Sequence, residues 1–227
     1  MACQQKGNYN NMASTAPQST APQFQSGTNS LSSEQQTWIF NQFNGTTFQA
    51  NAMDVQHEPL YDTFTTSAGG TIANLSQFFT NPAGKTINQT NVTTAKRLDA
   101  PEAFAVMSIR FQYQPNILLA DLININANFA LEFWIGQKYY NRGLLWHYNA
   151  GGGPTGLTTV GGTSAYTNGA TGRIHMHELA ITIVIDNQAS FYGQLNGVAT
   201  ALTASGSGGT GATLIMLLDG LHARGVQ

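Results

Sequence analysis

The sequence predicts an all-β fold, an antiparallel β-sandwich drawn as a single jelly roll of about eight strands, with one or two short helices and an extended N-terminal arm. Three observations predict it. Apolar and polar residues alternate over several short stretches, Gly, Asn and Pro turn signals separate those stretches, and neither α/β alternation nor a repeat of about 20–50 residues runs through them. An immunoglobulin-like sandwich shares this periodicity, so strand order stays open. The chain has 227 residues, which suits one large β domain with a tail.

Residues 1–36 are low-complexity Gln, Asn, Ser, Thr, Ala and Pro, with only Lys6 and Glu34 charged. Such a stretch buries too little to offset its ordering entropy, so it reads as an arm that a neighbour must order. The β domain then runs over residues 37–227. Trp38 and Phe40 alternate before Asn44-Gly45 and the β-rich Thr46 to Phe48, a hairpin signal. Pro59 and Gly69-Gly70 bracket a strand at Leu60 to Thr66. Ile72, Leu75, Phe78 and Phe79 fit either a helical turn or a strand, closed by Asn81-Pro82. After Pro101, Glu102 to Tyr113 reads as a strand whose apolar parity changes between Phe104/Val106 and Ile109/Phe111/Tyr113, which predicts a β-bulge at Met107 and Ser108. Ile117 to Leu122 reads as a helical turn, and Ile123 to Ile135 as a half-buried strand. The Gly/Thr-rich stretch from Gly151 to Gly172 allows short strands at best. Arg173 to Asp186, Ser190 to Leu195 and Ala212 to Leu221 are the last strands, parted by Asn196-Gly197 and a Gly/Ser loop at 204–211.

Composition narrows the function. Only 9 basic and 11 acidic residues are present, 9 % of the chain, for a net charge of −2, against about a quarter charged in an ordinary domain. No basic run exists, and neutralising nucleic-acid phosphates needs clustered Lys and Arg. The surface is therefore either sugar-like and polar or largely covered by copies of itself. Cys3 is the single cysteine, so no intrachain disulfide forms. The N-terminus lacks the apolar region of a signal peptide. The longest apolar stretch, Ile117 to Phe133, is broken by Asp121, Asn124, Asn126 and Asn128, which argues against a membrane span. Without a secretory context, the sequons at Asn74 and Asn91 carry no weight.

For chemistry, His175 and His177 are two apart and share a strand face, as in the metal site that begins a cupin jelly roll. Glu178 follows at once and faces away, and His222 is the only later histidine. The plainer reading is a histidine pair on a solvent or subunit face. Gly206 to Gly211 lacks the lysine of a phosphate loop. Asp54, Glu58 and Asp62 lie near one another, as do Asp99 and Glu102, while Asp186 and Asp219 fall at expected turns; solvated turns and caps account for them. Trp38, Trp134 and Trp146, with Tyr139, Tyr140 and Tyr148, suggest a sugar-stacking platform. Trp134 opposes the apolar parity of its strand, so its ring should meet a second sheet, a neighbouring subunit or a ligand, in that order.

The polar arm before Thr37, Leu98-Asp-Ala-Pro-Glu-Ala-Phe-Ala-Val106 entering a strand, Phe133-Trp-Ile-Gly-Gln-Lys-Tyr139 and Leu214-Ile-Met-Leu-Leu-Asp-Gly-Leu221 together resemble the single jelly-roll coat proteins of tailless icosahedral bacteriophages. The resemblance implies a structural protein of the virion that self-assembles into a capsid, with its arm ordering on neighbouring subunits. Its partners would be copies of itself, other virion proteins and an internal membrane. It carries over no catalytic, cofactor-binding or metal-ligating residue, and with only Lys6 in the arm no strong direct nucleic-acid binding is expected. Two other classes stand beside it, a carbohydrate- or receptor-binding sandwich of a phage appendage and a cupin-like metal-binding protein.

Overall fold

A computed structural model describes residues 37, 39, 41–43, 53–67, 69–113, 117–148, 155–160, 163–167, 178–202 and 212–225. The arm at 1–36, the Asn44-Gly45 turn, His175, His177 and the 204–211 loop lie outside the described residues.

The strands pair in a nested order. Strands β1 (Met53–His57) and β2 (Leu60–Thr65) lie end to end along β13 (Thr213–Gly225), from Met53 opposite Gly225 to Thr65 opposite Thr213. β4 (Ser76–Phe78) pairs with β11 (Phe191–Gly197), β5 (Ala103–Tyr113) with β10 (Glu178–Ile185), and β6 (Phe129–Ile135) with β7 (Lys138–Leu144). Lateral pairing of β13 with β5 and of β11 with β6 completes two antiparallel sheets, ordered β1/β2–β13–β5–β10 and β4–β11–β6–β7. Two short ribbons stand apart: β3 (Thr71–Ile72) with β12 (Thr200–Ala201), and β8 (Thr155–Val160) with β9 (Thr163–Thr167). The protein is an all-β antiparallel sandwich, as its periodicity predicts.

Alternation sets the core. Phe104, Ile109, Phe111 and Tyr113 of β5 and Leu214, Met216 and Leu218 of β13 face Phe78, Phe129, Leu131, Phe133, Phe191 and Leu195 of the other sheet. The Phe78 and Phe111 rings meet edge to face at 5.9 Å across the interface. The predicted bulge is present. Val106 pairs with Gly220 and Ser108 with Asp219, leaving Met107 unmatched, and this extra residue restores both halves of β5 to the same face. Beside it, on the outer side, Arg110 holds Asp219 through two contacts, Nη2 lying 2.5 Å from Oδ1 and Nε pairing with Oδ2. Asp219 is thus a mid-strand ion-pair partner and not a turn residue. Asp186 does cap its turn, accepting the Asn187 N–H at 2.9 Å.

Three readings of local structure are corrected. Thr37, Ile39, Asn41 and Gln42 are helical and not part of a hairpin. Ile39 and Phe43, four residues apart and so on one helical face, pack on Ala103, Ala105, Leu221 and Ala223, the outer side of the first sheet. Thr182 Oγ1 donates to Gln42 Oε1 at 2.6 Å at the same seat. Second, the short helical turn and the strand expected through Ile123 give way to one helix, α1 (Leu119–Asn128). Its inward face is Asp121, Leu122, Ile125 and Asn126, while Ile123 points to water. Third, Asp62 is not a solvated turn carboxylate; it is buried, accepting the Phe79 N–H at 2.6 Å and the Lys85 ammonium at 2.7 Å.

The inward amide of α1 is tied to the core. Tyr113 Oη donates to Asn126 Oδ1 at 2.7 Å, and Asn126 Nδ2 donates to the Leu122 carbonyl at 2.9 Å. Tyr113→Phe should therefore destabilise by about 1–2 kcal/mol, the cost of a buried acceptor losing its donor. An unchanged urea midpoint would show that this bond contributes nothing.

Candidate functional site

Two polar clusters stand out, one on the outer face of the β4–β11–β6–β7 sheet and one at the end of the first sheet. On the outer face, alternation turns Glu132 and Trp134 of β6 away from the core, beside Tyr192, Gln194 and Asn196 of β11 and Tyr139 and Arg142 of β7. Glu132 is only 1 % exposed. Its Oε2 accepts from Trp134 Nε1 at 2.9 Å and Gln194 Nε2 at 3.2 Å, and its Oε1 from Asn196 Nδ2 and Arg142 Nε, each at 2.8 Å. Gln77 of β4 extends the chain by donating to Gln194 Oε1 at 3.2 Å. Burial alone would raise the Glu132 pKa, but the bonds from Asn196, Trp134 and Arg142 outweigh it and hold the carboxyl below its usual range. It stays ionised at neutral pH.

Around this carboxylate the aromatics form a row. Trp134 lies parallel to Tyr192, with centroids 6.0 Å apart, and edge-on to Tyr139 at 5.7 Å. The ends are closed by cations: Lys96 Nζ sits 5.0 Å over the Tyr192 ring, and the Arg142 guanidinium 4.6 Å over that of Tyr139. Trp134 is therefore covered by neighbours in its own sheet, and not by the second sheet first expected. Tyr192 lies against one of its ring faces. Of the remaining predicted aromatics, Trp146 and Tyr140 are exposed, Tyr140 under the Lys138 ammonium at 5.4 Å. Tyr148 belongs to the core, its hydroxyl bonded to Asn141 and its pKa pushed up to about 12 by burial.

The second cluster gathers acids that the sequence leaves scattered. His222 of β13 is buried, with its ring edge-on to Phe104 at 5.7 Å. Its Nδ1 accepts from Arg224 Nε at 3.2 Å and lies 3.7 Å from Glu58 Oε2; its Nε2 lies 3.6 Å from Glu102 Oε2. Arg224 Nη2 is paired with Glu58 Oε2 at 2.7 Å. Burial, and then the Arg224 charge, push the His222 pKa down to about 4, although Glu58 pulls the other way. Burial raises the Glu102 carboxyl, helped by Asp99 and Glu58 and opposed by Arg224. Among the described residues no three His, Cys, Asp or Glu side chains converge as a metal site, and no helix is long and apolar enough to cross a membrane.

Sequence reasoning missed Glu132, Arg142, Tyr192 and Lys96 as one unit. The available signal was Glu132 beside Trp134 at outward parity; the rest depends on cross-strand register. No protein-family model, curated protein or solved structure matches the chain.

Proposed function

We propose that the chain is a shell subunit, a jelly-roll coat protein of a virion that self-assembles into a closed icosahedral capsid. The observation that carries this reading is the strand order. Among the described residues, with β1 and β2 counted as one broken strand, the eight strands of the two main sheets run 1-8-3-6 in one sheet and 2-7-4-5 in the other. First pairs with last, second with seventh, third with sixth and fourth with fifth, as in a two-stranded ribbon rolled into a jelly roll. Coat proteins, lectins and cupins all use that fold, so the surface must choose among them. Large apolar side chains stand in water on several elements, Ile87, Leu144, Trp146, Ile181 and Val198, with Ile181 83 % exposed on the β10 edge. In a chain with so few charges, contacts on several sides suit a subunit surrounded by copies of itself. The glycan-binding alternative is less well served, because the rings of the aromatic row are turned against each other and against Lys96 and Arg142.

Assembly would be driven by these apolar and polar side contacts, with residues 1–36 ordering on adjacent subunits; other virion proteins and an internal membrane would be the remaining partners. Particle mass by light scattering, checked by negative-stain microscopy, tests this directly. Particles of hundreds of copies are expected. A stable monomer at high concentration sinks the reading, and a trimer transfers the chain to a spike. Deleting residues 1–36 should leave the sandwich folded and impair particle formation; undiminished yield would remove the arm from the mechanism.

A further inference from the structure

We propose that His222 is an acid-sensitive latch, one that holds the seat of the N-terminal helical turn on the first sheet and releases that turn when the imidazole takes up a second proton. The latch is a property of the fold and holds whichever oligomer forms.

The geometry rests on what each nitrogen can do. Arginine only donates, so the Arg224 Nε contact at 3.2 Å requires a lone pair on His222 Nδ1, and the proton of the neutral ring is then on Nε2. That N–H is buried without a hydrogen-bond partner, 3.6 Å from Glu102 Oε2. A second proton must enter at Nδ1, the atom to which Arg224 donates. Acceptor becomes donor, two donors then oppose each other, and the guanidinium has to leave.

The groups facing the imidazole are few. They are Glu58 from the β1–β2 corner, Glu102 from the approach to β5 and Arg224 two residues along β13, with Asp99 acting through Glu102. In register, Gln56 of β1 stands opposite His222 and Asp54 opposite Arg224. Glu102, raised by burial, approaches neutrality in the acid range, so it is a poor counter-ion for the new imidazolium when one is needed.

The same backbone forms the seat. His222 pairs with Phe104, Leu221 with Ala105 and Ala223 with Ala103. While His222 turns inward, Leu221, Ala223, Ala103 and Ala105 turn outward and carry Ile39 and Phe43. A shift of β13 against β5 that lets Arg224 withdraw therefore deforms the floor under the helical turn.

The sign is fixed by linkage. A histidine held at about 4 in the fold and about 6.5 in the unfolded chain stabilises the protein fully above pH 6.5 and loses that contribution as pH falls from 6.5 to 4. Hydrogen exchange on the full chain, at pH 7 and about pH 4.5 with intrinsic rates corrected, tests the latch. Peptides covering 37–43, 53–57 and 221–225 should exchange about ten-fold faster at the lower pH while β6 and β11 keep their protection. His222→Gln, which cannot titrate, should abolish the difference. Unchanged protection in the wild type, equal acid loss in H222Q, or uniform loss across both sheets would each overturn the proposal. Should H222Q fold poorly, an NMR titration of His222 in the wild type decides it: the midpoint must lie well below 6.5 and coincide with the faster exchange, and a midpoint near 6.5 refutes it.

Discussion

Gly220→Ala is expected to cost the fold about 3 kcal/mol or more, read as a lowered urea midpoint with an unchanged slope. Gly220 sits at the β5–β13 bulge, where a Cβ would come 1.9 Å from the Ala105 carbonyl oxygen and 2.9 Å from its carbon. Those are main-chain atoms in the middle of the first sheet, so the strands themselves would have to part. Gly193→Ala supplies the comparison. Its Cβ would fall 2.1 Å from Met216 Sδ and 2.9 Å from Cε, but a thioether has three rotatable bonds with which to retreat, and about 1–2 kcal/mol should suffice. If G193A proved the more damaging, the gap between the sheets and not the bulge would be the tighter constraint.

Glu132→Ala should rank beside it, at about 2–4 kcal/mol, because it strips one acceptor from four donors at once. Trp134 Nε1, Gln194 Nε2 and Asn196 Nδ2 lose their bonds, and Arg142 loses its partner on a sheet face where Glu132 is the sole carboxylate in β4, β6, β7 and β11. Glu132→Gln keeps the shape and forfeits the charge, so it should fall between the two. Because the Glu132 pKa is lowered in the fold, its contribution is complete above the ordinary glutamate range and fades as pH drops through the folded value. The wild type should thus become less stable at low pH relative to E132Q, and a gap that did not narrow on acidification would show that the charge is not what the four donors need.

How far the sequence foretold these features follows from how local each signal is. The bulge at Met107 was visible because both halves of β5 carry strong apolar parity and only one inserted residue reconciles them. Helix α1 was not, since its inward face includes Asp121 and Asn126 and its outward face includes Ile123; with polar residues buried and a large apolar residue exposed, the pattern mimics a two-residue period. The helical turn before β1 was hidden similarly. Trp38 and Phe40, which lie outside the described residues, draw the eye as an alternating pair, while the buried Ile39 and Phe43 are spaced for a helix. The two polar clusters depend on register. Glu132 meets Arg142 through a neighbouring hairpin strand but meets Gln194 across 62 residues of sequence, and His222 joins Glu58 and Glu102 only because this part of β13 lies between β1 and β5. Local periodicity holds no information of that kind.

The nested order also governs when the molecule can come into being. β13 touches β1, β2 and β5, so the first sheet has no centre until the final strand is available. During synthesis, β1, β2 and the edge of β5 that takes β13 must wait unpaired while β6 and β7, joined by a tight turn at Gly136, can already form their hairpin. Folding should therefore begin in the second sheet and close after the ribosome has delivered residues 213–225, with the slow, millisecond-to-second kinetics of long-range β pairing. That delay is the interval in which an exposed strand edge can pair with the wrong chain.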